Sequence, residues 1–241
     1  IQEASWLSTI RTTFSHISGI NFLKSILCVF VFLLFISTVS HAQPTVVNSE
    51  TAQNNNGGAS LTITKPANLQ VGDLMIVNID ERGTDDETPS TIPAGWIEVI
   101  RYEHASPGRQ IWIGYKIAVA DDVSNANYTF NWSGADDLSG GITAFRGVDT
   151  ATNGGIEVEG TSYAASNNDP LTPTSITTLS DNSLVVFLAQ VQEIDFNSSS
   201  WRLGGSTGTI MTELYSLNPV NKTGVGAAIL VKATAGATGD R

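Results

Sequence analysis

Cysteine is nearly absent from this chain. Among 241 residues there is one, Cys28, inside an apolar run near the N-terminus. Once that run is removed, no disulfide and no thiolate zinc site can form, and thiol catalysis is excluded. Histidine is almost as scarce. His16 and His41 fall in the same leader, so His104 alone would have to serve any Ser-His-Asp triad. It sits in Tyr102-Glu103-His104-Ala105-Ser106-Pro107-Gly108, which reads as a hairpin turn. No Gly-x-Ser-x-Gly elbow, Gly-x-Gly-x-x-Gly turn or phosphate loop is present. Positive charge is also short, with 12 basic against 23 acidic residues. A nucleic-acid partner needs a basic face, and so does adhesion to anionic lipid, so both are excluded.

The first 42 residues read as a leader and signal peptide. Ile26–Ile36 is uninterrupted apolar sequence preceded by Lys24 and followed by the small-x-small site Ser40-His41-Ala42. Its length falls well short of the roughly 20 residues that span a bilayer. Cys28 opens the run instead of following it, which argues against a lipoprotein. Export with cleavage after Ala42 leaves 199 of the 241 residues, with no membrane insertion of the product. Removing Glu3, Arg11 and Lys24 leaves 22 acidic and 10 basic residues, a net charge of −12. The expected location is secreted or at the cell surface.

In the exported part, short runs rich in Val, Ile, Thr and aromatics alternate with Gly, Asn, Asp, Ser and Pro clusters. No helical period extends over ten residues. This predicts an all-β protein: a two-layer antiparallel β-sandwich, jelly-roll-like, with an internal pseudo-duplication. The duplication is audible in the chain. Leu61-Thr62-Ile63-Thr64 precedes Gly72-Asp73-Leu74-Met75-Ile76-Val77, and Ser175-Ile176-Thr177-Thr178 precedes Asp181-Asn182-Ser183-Leu184-Val185-Val186-Phe187. Each copy is trailed by a tryptophan, Trp96 or Trp201, whose matching places favour core roles. Residues 43–58 read as a linker or first loop, and 59–241 as one sandwich domain with pseudo-halves of about 59–149 and 173–241. Leu74–Val77 and Leu184–Ala189, apolar on both faces, read as central strands. The first half runs on through Tyr128–Trp132 and Ile142–Phe145, whereas the second reaches Arg241 without counterparts. A terminal strand is therefore expected to be missing, leaving an open sheet edge capable of self-association.

Lys65-Pro66, Val71-Gly72-Asp73-Leu74, Pro93-Ala94-Gly95-Trp96, Tyr115-Lys116-Ile117-Ala118 and Ala144-Phe145-Arg146-Gly147-Val148-Asp149 follow in that order. Together they resemble a β-sandwich module of large secreted and surface-attached bacterial proteins, where similar domains sit beside adhesin, carbohydrate-binding and sorting regions. The leader is similar to Bacteroidota export signals. The resemblance covers roughly residues 59–241. It implies fold and compartment, with no assigned activity.

Two groups of residues carry candidate chemistry. In Gln110–Ile117, alternation puts Ile111, Ile113, Tyr115 and Ile117 on one face and Gln110, Trp112, Gly114 and Lys116 on the other. Reading the second face as the wetter one makes Trp112 a sugar-stacking platform, with Gln110 and Lys116 beside it; the competing reading buries Trp112 against a second sheet. Asp80, Asp85 and Asp86 surround Gly83-Thr84 in a loop after an apolar strand, and calcium takes such oxygen ligands. Solvated turn formers are the competing reading, and no run has the EF-hand spacing. No cofactor is required, and calcium is the one left open. Glu98, Glu103, Glu157 and Glu159 are the acids that glycoside hydrolysis could use, but spacing alone places none of them in a cleft.

The leading expectation is a non-catalytic extracellular module for adhesion, glycan binding or structural spacing, with a glycan or cell-surface protein as partner. The alternatives are a secreted carbohydrate-active enzyme or accessory domain using Asp and Glu, and an assembly subunit completed by a donor strand.

Overall fold

The computed structural model describes residues 43–54, 56–83, 88–104, 108–151, 153–157, 175–192, 201–203, 209–218 and 223–239. All of them fall in one compact unit, Ala42–Arg241. The signal-peptide residues lie outside the described residues. Among the described residues no helix is long and apolar enough to cross a membrane.

The first half builds eight strands: β1 (Thr45–Asn54), β2 (Ser60–Thr64), β3 (Leu74–Gly83), β4 (Pro89–Thr91), β5 (Ile97–His104), β6 (Arg109–Ile117), β7 (Asn127–Trp132) and β8 (Ala135–Arg146). A single short helix, α1 (Ala120–Ser124), joins β6 to β7. Strands β1-β8-β3-β6-β5 form one antiparallel sheet and β2-β7-β4 another. The order β1-β8-β3-β6 facing β2-β7-β4 is that of a jelly roll, except that β5 has joined the edge of β6 instead of the edge of β4. The fold is therefore all-β and sandwich-like, as the strand pattern indicates.

Alternation explains the smaller sheet. Leu61 and Ile63 of β2, and Tyr128, Phe130 and Trp132 of β7, point inward while the intervening polar residues face out. They meet Met75, Val77 and Ile79 of β3, Trp112 of β6, and Leu138, Ile142 and Ala144 of β8 in the main core. Trp96 stands edge-on to Tyr128 and Phe130, with ring centres 5.5 and 5.6 Å away.

The remaining strands are β9 (Thr177–Thr178), β10 (Ser183–Gln192), β11 (Arg202–Leu203), β12 (Thr209–Ile210), β13 (Thr212–Leu217), β14 (Thr223–Lys232) and β15 (Gly236–Ala237). Their main sheet, β10-β14-β13, adds a third layer over the far face of the central sheet. Leu74, Ile76 and Phe145 pack there against Leu184, Val186, Leu188, Leu214 and Ile229, together with Ile113, Tyr115 and Ile117. Covering on both faces is why β3 is buried through its first eight residues and why its opening run Leu74–Val77 is apolar without alternation. The adjacent glycines of β8 mark the pinch. A Cβ on Gly140 would lie 2.7 Å from Leu61 Cδ2 of the smaller sheet, and one on Gly141 would overlap the Tyr215 ring of the third layer.

The duplication is visible in the backbone. Gly72 (φ 91°) and Asn182 (φ 60°) each take the left-handed conformation just before β3 and β10. Each donates its N–H to the carbonyl that follows the partner strand, Gly72 to Ala118 and Asn182 to Ala233. The order β3-β6-β5 is repeated as β10-β14-β13, and register breaks fall at Glu98/Ile100 in β5 and Glu213/Tyr215 in β13. Trp201 is buried and edge-on to Phe187 at 5.5 Å, in a separate core with Val185, Ala189, Met211 and Ala228. Trp96 and Trp201 thus both serve cores.

One boundary differs from the sequence expectation. Residues 43–58, expected as a linker or first loop, contain β1, which pairs with β8 from Thr45↔Arg146 to Asn54↔Leu138. Its polar composition, with Asn48, Ser49, Glu50, Gln53 and Asn54, suits the edge of a sheet rather than a disordered tether.

Candidate functional site

Trp112, Gln110 and Lys116 lie on one face of β6, as alternation requires, but the face expected to be the wetter one holds the more deeply buried Gln110 and Trp112. Trp112 is 1% exposed and Gln110 2%, whereas Ile111 and Ile113 are only half-buried. The smaller sheet covers the tryptophan face. The Trp112 ring lies 5.9 Å from Phe130 and 6.5 Å from Trp132, and its Nε1–H donates to Glu98 Oε2 at 2.8 Å. Gln110 Oε1 accepts from Trp132 Nε1 at 3.0 Å. Lys116 Nζ is paired with Asp122 Oδ1 at 2.6 Å and donates to the Ala94 carbonyl at 2.8 Å. Asp122 also accepts from the Tyr128 hydroxyl and the Val119 amide. Burial beside that carboxylate raises the Tyr128 hydroxyl above its ordinary range. All three expected ligand contacts are therefore internal bonds, and the sugar platform at Trp112 is corrected to a core residue.

Asp80 occupies the far end of β3, fully buried, with both carboxylate oxygens held by Arg109 of β6; its Oδ1 accepts from Arg109 Nε at 2.7 Å. Burial pushes its pKa up to about 6, opposed by Arg109 and by the Gly224 amide. Its oxygens are thus committed to a guanidinium and a backbone amide rather than presented to calcium. Asp85 and Asp86 lie outside the described residues. Among the described residues no three ligating side chains converge as a metal site would require.

Around Asp80 the first and second halves share a polar seam that the sequence reading missed. Ser139 Oγ donates to the Thr223 carbonyl at 2.6 Å and lies 2.8 Å from Thr223 Oγ1. Asn78 Nδ2 donates to the carbonyls of Ala189 and Gly226 at 3.3 and 3.4 Å, and its Oδ1 accepts from Gln190. The Tyr215 hydroxyl donates to the Gly141 carbonyl at 3.4 Å, and burial raises its pKa. These bonds give register to an otherwise greasy interface. The available signal was polar residues, Asn78 and Asp80, embedded in the apolar run of β3.

The acids considered for hydrolysis are similarly dispersed. Glu98 is engaged by Trp112, and Glu157 accepts from the Leu179 amide and the Ser183 hydroxyl, both at 3.1 Å. Glu159 and the side chains of Glu103 and His104 lie outside what is described. Arg146 makes a two-pronged contact with Asp73, Nε to Oδ1 at 2.9 Å and Nη2 to Oδ2 at 2.8 Å, which anchors the turn before β3.

Fold and site together define an all-β, sandwich-like protein in which Trp112, Gln110, Lys116 and Asp80 make internal bonds. No family model, no curated protein and no solved structure matches the chain.

Proposed function

We propose that this chain is a non-catalytic extracellular β-sandwich module that provides adhesion or structural spacing within a secreted or surface-attached bacterial protein. The observation that carries the reading is the fate of the chemically capable side chains. Asp80 is bound by Arg109, Glu98 by Trp112, Asp122 by Lys116, and Gln110 by Trp132. Glycoside hydrolysis needs two carboxyl groups facing one another across an open cleft, and these acids are distributed among separate structural bonds. Among the described residues Tyr102 is the one exposed aromatic, which favours contacts through sheet surfaces and edges over a stacking platform for sugars. The net negative charge and the leader support an exported, soluble spacer.

The test is to incubate the chain with a panel of polysaccharides and to record binding and release of reducing ends in the same samples. No release is expected from any of them. Release that disappears in Glu98→Gln would replace this reading with hydrolysis.

A further inference from the structure

We propose that the outer edge of β10 is a strand-acceptor site, which takes an extended segment of a partner polypeptide, patterned like β8, in antiparallel pairing along Ser183–Gln192. Three observations converge on it. The repeated order makes β10 the counterpart of β3. The other edge of β3 is filled by β8, from Leu74↔Phe145 to Gly83↔Ala135. Among the described residues, β10 pairs with β14 on one side and with nothing on the other.

Composition supports the same conclusion. Among the described residues, the other edge strands of the two larger sheets carry charge that discourages pairing: Glu50 on β1, Glu98 and Arg101 on β5, and Glu213 on β13. β10 reads Ser-Leu-Val-Val-Phe-Leu-Ala-Gln-Val-Gln and has no charge at all. That is the composition of an interior strand, and among the described residues it stands at an edge. Both its faces are already packed, Leu184, Val186 and Leu188 against the central sheet and Val185 and Ala189 in the second core. What the edge offers is its backbone ladder, so the partner is recognised by strand addition. The first half shows the matching chemistry in Leu138-Ser139-Gly140-Gly141-Ile142-Thr143-Ala144-Phe145: uncharged, with small residues where neighbouring layers approach and apolar residues beyond. This inference goes beyond the non-catalytic reading and fails separately from it, since turnover of a glycan would leave strand capture unaffected.

The experiment is hydrogen exchange on the full chain, with a capped peptide of the Asp137–Arg146 sequence as the probe. The peptide is expected to slow exchange in residues 183–192 by roughly tenfold or more at saturation. A copy N-methylated at the alternate amides that would face β10 should have no effect, and a copy methylated on the opposite set should still protect. The proposal is overturned if millimolar peptide changes nothing, or if protection appears at β1 or β5 instead. It is equally overturned if 183–192 is already as protected as β14 in the free chain, or becomes so with protein concentration alone, which would mean β10 pairs with a second copy.

Discussion

Replacing Trp112 separates a core role from a ligand platform by stability alone. Trp112→Ala removes an indole that is 1% exposed and packed against Phe130 and Trp132. Truncations of this kind cost about 3–5 kcal/mol, and two ring contacts place this one in the upper part of that range. The hydrogen bond to Glu98 adds little. The Glu98 side chain is 45% exposed, so a released carboxylate is rehydrated and the loss is about 1 kcal/mol. Trp112→Phe, which keeps most of the packing, should therefore cost only about 1–2 kcal/mol. With a urea slope of about 2–3 kcal/mol/M, the alanine variant should lower the unfolding midpoint by roughly 1.5–2 M. A change within about 0.5 kcal/mol, as at an exposed site, would refute the buried placement.

Three further outcomes follow from the geometry. Asp80 is protonated more readily in the folded chain than in the unfolded one, so it favours folding fully below pH 3.8 and loses that contribution as pH rises to about 6. Titrated unfolding should show the parent losing about 3 kcal/mol relative to Asp80→Asn across that window, and parallel curves would contradict it. Gly141→Ala should destabilise by about 1–3 kcal/mol because its methyl group meets the rigid Tyr215 ring. A double-mutant cycle with Tyr215→Ala should recover much of that loss, and strict additivity would count against the contact. Lys116→Met leaves the buried Asp122 without its cation and should cost about 3 kcal/mol or more, whereas Lys116→Met with Asp122→Asn should be distinctly milder when thermal midpoints are compared.

Periodicity made the strands legible, and the repeated phrase made the two halves legible, because strand faces and turn residues are local properties. Lys65-Pro66 ends β2, and Tyr128, Phe130 and Trp132 face the core as alternation indicates. Which face of β6 is the more deeply buried was not legible. Both of its faces carry large apolar groups, and the choice depends on a second-half sheet more than sixty residues away in sequence. β1 was missed because an edge strand needs little hydrophobic content, its ladder being its main attachment. Asp80 looked like a ligand because spacing shows an acid near a loop and cannot show that Arg109 lies beside it on the neighbouring strand.

The central claim is that the second half closes the far face of the first-half sheet, so that the two repeats stand or fall together. Calorimetric unfolding of the chain tests it most directly. The shared interface of Leu74, Ile76 and Phe145 with Leu184, Val186, Leu188 and Ile229 predicts one transition, with equal calorimetric and van't Hoff enthalpies. Two resolved transitions, with the Trp201 core melting apart from the Trp112 core, would contradict the account.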